Sequence, residues 1–290
     1  MPADRPPVPT VAYVCGVGHS GSTLLDRLLG AREGAWSGGE LKRFSASRWA
    51  SRWRAKGWPA ALEEPCACGA LTLRACSFWR AVDARLAADG LGLDALDVYA
   101  PNPGRFARDN MALFRAIGHA SGAAVVVDSS KDLARLRRLQ VETELRVVPV
   151  WLVRRTEGVV YSEARRGRPW LAAAAATGYA QLAFCRYLRG RPHHVVRYRA
   201  LCTDPDAALA PLVADLGLGR TREVTPHLAF GNPMRLRPLG AVRPDDAWRT
   251  GLSRTQRVVL GLLHRPVAQG WTAAGPLYRA LGALARETRP

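Results

Sequence analysis

The chain has 290 residues, 48% of them hydrophobic, and 42 Lys plus Arg against 24 Asp plus Glu give it a formal net charge of +18. That length and apolar share suit a single globular domain with a sizeable core, and no apolar run is long enough to span a membrane. Arginine carries most of the positive charge and is spread through predicted helices, with no basic tail and no aromatic-interleaved patch. This distribution argues against a nucleic-acid surface and leaves an anionic membrane surface or an acidic small molecule as partner.

The first residues are Pro-rich, with Asp4 and Arg5, and carry no signal-peptide pattern, so the expected location is the cytoplasm. A β-branched run, Val11 to Cys15, predicts a first strand, and a helical pattern runs from Ser22 to Gly30. Leu41 to Lys56 and Phe78 to Ala88 read as helices separated by a Pro/Cys/Gly-rich excursion, and Phe106 to His119 as another helix. Ala123 to Val127 is continuously apolar and ends in Asp128, the pattern of a buried parallel strand. Leu133 to Val141 is helical and Arg146 to Val153 a third strand. Helices follow at Thr156 to Arg166 and Leu171 to Leu188, then a fourth strand at His194 to Tyr198. Helical patterns at Ala207 to Leu216 and Arg254 to Pro266 complete the order.

Strands alternating with helices predict an α/β fold of three layers, a P-loop-type arrangement with a central parallel sheet flanked by helices. In such sheets ligands sit beyond the carboxyl ends of the strands. The conspicuous polar groups fall there: His19 to Thr23, Asp128 to Lys131, and Arg154 with Arg155.

The stretch from Gly16 to Thr23 nearly has the spacing of the triphosphatase motif G-x-x-x-x-G-K-[ST], but Ser22 stands at the lysine position. Without that lysine the outer phosphates of ATP lose their main fixed cation. The turn still offers converging N–H groups, a helix N-terminus and hydroxyls, so Gly18, His19, Ser20, Gly21, Ser22 and Thr23 are candidate ligands for a phosphate-like group. Arg154 ends a strand and Ser162 lies eight residues on, two turns into the next helix, so both can face one anion. Glu40, in GGEL, either takes a proton from an incoming hydroxyl or complements the helix dipole ahead of Leu41. Lys131, in DSSKD, either faces the anion or solvent. Cys66, Cys68 and Cys76 lie in PCACGALTLRAC. Their spacing suits zinc only if a fourth ligand folds in, and a redox-labile or purely structural loop is the alternative. Cys15, Cys185 and Cys202 sit in apolar contexts that suit core fillers.

Three segments, GVGHSGSTLL, VWLVRRTEGVVYS and VVRYRALCTDPDAAL, resemble in that order the signature segments of sulfotransferases that use 3′-phosphoadenylyl sulfate (PAPS). The resemblance spans roughly Val11 to Leu218. It implies that the first loop holds the donor's 5′-phosphosulfate and that Arg154 and Ser162 hold its 3′-phosphate. GNPMRLR, with Asn232 and Arg235, resembles the late basic loop that closes over the nucleotide; an ordinary Asn-Pro turn is the other reading. Glu40 is similar in placement to the catalytic base of tyrosylprotein sulfotransferases. His19 departs from the Lys or Arg that many relatives carry, and Lys131 resembles the family's lysine at the end of the second sheet strand.

The implied reaction moves a sulfuryl group to a hydroxyl or amine of a small-molecule, lipid or glycan acceptor. It releases adenosine 3′,5′-bisphosphate (PAP), requires no metal, and is catalysed by Glu40, His19 and Lys131. A helical, Cys-containing insertion at about 41–120 is expected to shape the acceptor site of a single domain, and a homo-oligomer is compatible. A P-loop kinase of a small metabolite and a basic nucleic-acid-binding α/β module are the alternatives.

Overall fold

The computed structural model describes residues 8–45, 60–240 and 242–268. Five strands form one sheet in the order β2-β3-β1-β4-β5: β1 (Thr10–Cys15), β2 (Ala35–Ser37), β3 (Val125–Asp128), β4 (Val147–Val153) and β5 (His194–Arg197). The pairings are parallel, with Val11 opposite Val126, Trp36 opposite Val126, and Val150 opposite His194. On its other edge β1 meets the start of β4, where Val11 N–H donates to Arg146 O at 2.8 Å. All of β3 and all of β1 beyond Thr10 are buried, as strands covered on both faces must be, and this explains their unbroken apolar runs.

The chain divides into two compact units, each discontinuous in sequence. The first comprises residues 1–14, 23–149 and 209–240. It holds β1 to β3 with helices α1 (Ser22–Gly30), α2 (Ser77–Ala88), α3 (Pro103–Ser121), α4 (Leu133–Glu142) and α8 (Pro205–Asp215), apart from Cys15 of β1, Ser22 of α1 and residues 205–208 of α8, which fall in the second unit. Helix α3 starts earlier than the apolar pattern predicts: Asn102 accepts from Arg105 N–H at 2.9 Å and Pro103 takes the first helical position. Gly122, left-handed at φ 68°, closes its far end.

The second unit comprises residues 15–22, 150–208 and 241–290. It holds most of β4, β5, and helices α5 (Thr156–Ala164), α6 (Trp170–Leu188), α7 (Tyr198–Thr203), α9 (Trp248–Gly251) and α10 (Arg254–Ala268). Its core joins Val160, Ala173, Ala174, Trp248, Leu252 and Leu260. The alanines of α6 let α5 approach closely. Among the described residues no helix is long and apolar enough to cross a membrane.

Several expectations change in the structure. The three-residue strand β2 is too short to show a period in sequence. Tyr198, expected to end the fourth strand, instead begins α7. The helix expected over 41–56 is, where described, one 3₁₀ turn at Leu41–Arg43; 46–59 lie outside the described residues, and with them Trp49, Trp53 and Trp58. Trp79 is fully buried and packs edge-on to Trp36, a core role.

Gly39 places the chain after β2. Gly39 has φ 76°, and a Cβ there would lie 2.4 Å from Phe230 O. Its carbonyl accepts from Ser129 N–H at 2.9 Å. Gly39→Ala is expected to lower stability by about 3 kcal/mol or more, because a backbone atom must move as well as the dihedral being strained. Gly122→Ala, where a Cβ meets nothing within 4 Å, should lose only about 1–2 kcal/mol. Equal losses in thermal denaturation would remove the steric argument at Gly39.

Candidate functional site

In the second unit the glycine-rich turn between β1 and α1 is shaped by close approaches. Gly16 (φ 146°) has room for no side chain, since a Cβ would sit 2.9 Å from Leu152 O. Gly21 (φ 97°) lies against the Tyr198 ring, which a Cβ would meet at 2.5 Å. Ser20, fully buried, donates from Oγ to Val17 O at 2.7 Å, so its hydroxyl braces the turn. Ser22 opens α1, with Thr23 following in its first turn.

Arg154 is drawn into this turn. Its Nη1 donates to His19 O at 2.7 Å, its Nη2 pairs with Asp245 Oδ2 at 3.0 Å, and its guanidinium lies 4.5 Å over the Tyr198 ring. Gly158 leaves space for it: a Cβ there would approach Arg154 Nε to 3.0 Å. Arg154 is only 8% exposed, so an anion binding there would have to replace or share Asp245. Ser162, on α5, donates to Gly158 O at 2.8 Å. His19 Nε2 lies 3.2 Å from Glu163, whose carboxyl is held below the usual range by the His19 hydrogen bond, against the opposing effect of burial. Glu163 was not legible as a partner in the sequence, although it follows Ser162 directly.

In the first unit Glu40 and Lys131 come together. Lys131 Nζ donates to Glu40 Oε1 at 2.8 Å and to Ser129 O at 2.7 Å. Lys42, which the sequence reading missed, donates from Nζ to Ser130 O at 2.9 Å and lies 3.0 Å from Glu40 Oε2. Burial alone would raise the Glu40 pKa, but the charges and hydrogen bonds of Lys131 and Lys42 outweigh it and hold the carboxyl at about 2. Sequence spacing could not reveal this triad, because Lys131 reaches Glu40 across 91 residues.

The turn bearing Lys131 is fixed by Asp128, which is fully buried. Asp128 accepts from Ser130 N–H at 2.9 Å, from the Ser130 hydroxyl, and from Arg135 Nη2 at 3.3 Å. Asp132 caps α4 by accepting from Arg135 N–H at 3.0 Å. Asp128 therefore orients the turn, while the cap is Asp132. Among the described residues only two non-glycines have positive φ, His19 at 58° and Lys131 at 54°. Strained backbone of this kind clusters where side chains must be aimed.

The expectation for the late loop needs correction. Arg235, which the resemblance placed in a basic loop closing over the nucleotide, is 4% exposed and turned inward. Its Nη2 is 3.0 Å from both Glu64 Oε2 and Pro65 O, and Glu64 also binds Arg43. A guanidinium committed to a buried carboxylate is an anchor for the loop. Asn232 caps the 3₁₀ turn Pro233–Leu236 by accepting from Met234 N–H at 3.0 Å, the Asn-Pro turn that was the other reading. The loop still borders Glu40: a Cβ on Gly231 would lie 3.7 Å from Glu40 Cγ.

No family model matches the chain, and no curated protein matches it. Among solved structures, the sulfotransferase domain of the olefin synthase of Synechococcus PCC 7002 is similar, at 17% identity and a TM-score of 0.54. The match covers 91% of this chain and 97% of that one. The sulfotransferase domain from the curacin biosynthetic pathway aligns at 15% identity and a TM-score of 0.48, over 97% of this chain and 98% of that one. The chain has the fold of the olefin-synthase sulfotransferase domain, an α/β fold built on a five-stranded parallel sheet.

Another buried carboxyl, Asp26, feels the charge of Lys131 and accepts from Ser37 Oγ at 2.7 Å. Burial raises its pKa from 3.8 to about 7, against hydrogen bonds from Ser129 and Ser37 and the charge of Lys131. A raised folded pKa means that folding takes up a proton, so the contribution is present below the unfolded value and lost as pH rises through the folded one. Asp26→Asn should therefore gain stability relative to the parent protein as pH rises from about 4 to 7, then level off, by a few kcal/mol. Tm measured across that range checks this. A difference that does not change with pH would mean that Asp26 is not buried as a neutral acid.

Proposed function

We propose that the protein is a sulfotransferase that moves a sulfuryl group from PAPS to a hydroxyl or amine of a small-molecule, lipid or glycan acceptor, releasing PAP. The observation that carries this reading is the turn after β1. It keeps the glycines, hydroxyls and helix N-terminus of a phosphate loop but has Ser22 in place of lysine, on a fold shared with a sulfotransferase domain.

On this reading the loop N–H groups, with Gly18, Ser20, Gly21, Ser22 and Thr23, bind the donor's 5′-phosphosulfate. Arg154 and Ser162 bind its 3′-phosphate, Arg154 leaving Asp245 to do so. Glu40 takes the proton of the acceptor hydroxyl as the acceptor oxygen bonds to sulfur. The sulfur–oxygen bond to the donor phosphate breaks, its electron pair staying on the phosphate oxygen. His19 donates to that oxygen, and Lys131 faces the sulfuryl oxygens. The segment 41–120 forms the acceptor side of the domain.

The Glu40 triad gives this chemistry an order. A carboxyl held at about 2 is a poor base near neutrality. On this reading Lys131 turns from Glu40 Oε1 to the sulfuryl oxygens before Glu40 acts as base, while Lys42 stays on Oε2.

The first test is thermal-shift stabilisation by PAP alongside ATP with magnesium. PAP at a hundredfold its Kd should add about 2.7 kcal/mol to native stability, and Arg154→Ala should abolish the gain. A shift with ATP–magnesium alone would replace this reading with that of a kinase. Glu40→Gln should keep the PAP shift while PAP release from PAPS, measured over an acceptor panel, falls by about 10²–10⁴-fold. Undiminished release would remove Glu40 as the base.

A further inference from the structure

The cysteine group acquires in the fold the fourth ligand that its sequence lacks. Cys66, Cys68, Cys76 and His227 bring their ligand atoms within 4.8 Å of one another, all in the first unit. Cys68 Sγ lies 3.6 Å from Cys76 Sγ, and Cys76 Sγ lies 3.4 Å from His227 Nδ1. A zinc tetrahedron with Zn–S of about 2.3 Å and Zn–N of about 2.0–2.1 Å has S···S edges of about 3.8 Å and S···N edges of about 3.6 Å. The measured separations are close to those edges. They are far from the roughly 2.05 Å of a disulfide.

The surroundings hold these atoms in place. Cys66 N–H donates to Ala70 O at 2.9 Å and Gly69 N–H to Cys66 O at 3.1 Å, which folds 66–70 into a tight knuckle around Gly69 (φ 96°). Ala67 N–H donates to Leu228 O at 3.3 Å, tying that knuckle to the His227 segment. The His227 ring stacks on Phe78 at 5.1 Å, and its carbonyl accepts from Trp79 Nε1 at 3.1 Å. Cys66 and Cys76 are each 1% exposed, so the sulfurs are preorganised and largely shut off from solvent.

We propose that Cys66, Cys68, Cys76 and His227 form a structural zinc site. Four protein ligands close the tetrahedron and leave no position for water or substrate, which separates it from a catalytic zinc. Binding releases the three thiol protons to solvent and leaves His227 neutral, with Nδ1 on the metal and the proton on Nε2. The metal fastens the knuckle and α2 to the segment that runs on through Phe230 and Gly231 beside Glu40. Glu64, two residues before Cys66, grips Arg235 from the same side. The zinc thus performs at one end of this loop what the Glu64–Arg235 pair performs at the other. The proposal does not depend on the identity of the reaction.

The test is metal analysis of the full-length protein purified under reducing conditions, with cobalt substituted for zinc. One equivalent of zinc is expected, and the cobalt form should show thiolate charge-transfer bands and the ligand-field pattern of a tetrahedral site. His227→Ala and Cys68→Ser should lose the metal, while Cys185→Ala, a buried thiol elsewhere, should retain it. If the ligand variants do not fold, the cobalt spectrum of the parent protein still decides. Metal-free protein that binds no cobalt overturns the proposal. So does a Cys68–Cys76 disulfide in freshly purified protein, or full zinc retention by His227→Ala together with Cys68→Ser.

Discussion

A carboxylate shut away from water at the end of β3 organises the first unit. Asp128 has no exposed surface, and an unmatched charge there would cost several kcal/mol. Arg135, equally buried, is its counter-ion and also donates to Val98 O at 2.8 Å. That demand fixes where α4 begins relative to β3 and draws in the loop at 97–100, whose Tyr99 hydroxyl donates to Asp132 Oδ2 at 2.9 Å. Between two pinned neighbours, Ser130 and Asp132, Lys131 is left in the left-handed conformation that few residues adopt. Its ammonium then meets Glu40. The ion pair nearest to the proposed chemistry is thus a consequence of how a deeper one is satisfied.

The two units solve a similar problem with different means. In each, a strained non-glycine residue carries a group aimed at a carboxylate, Lys131 at Glu40 and His19 at Glu163. In each, glycines yield space where backbone or ring must come close, Gly39 beneath Phe230 and Gly21 against Tyr198. Such strain persists only where neighbours over-determine it. Around Lys131 that support is Asp128, Ser129 and Asp132; around His19 it is the Arg154 guanidinium bound to its carbonyl.

The proposed zinc and the Glu64 pair extend the same logic to the chain between Leu228 and Arg237. Leu228, Ala229 and Phe230 bury its first part, whereas Met234 and Leu236 further along are exposed. Polar links add to that packing at either end: the cluster at His227 before the buried residues, and the Arg235–Glu64 ion pair after them.

Much of this was legible from local pattern. Apolar runs located β1, β3 and most of β4 because strands buried on both faces admit few polar residues, whereas β5 is largely exposed and was marked by its β-branched pair Val195–Val196. The glycine and hydroxyl spacing from Gly16 to Thr23, on which the proposed anion loop rests, is itself local. What the sequence could not determine are the facts that join distant residues. Nothing near Arg235 in sequence indicates Glu64, 171 residues away, as its partner. Lys42 and Lys131 on Glu40, Glu163 on His19, and His227 beside Cys66, Cys68 and Cys76 depend on which strand ends and loops the sheet order brings together. A residue's type and its neighbours in sequence fix what chemistry it can perform. Whether its partner is a ligand, a counter-ion or a metal is decided by the burial and juxtaposition that only the folded chain supplies.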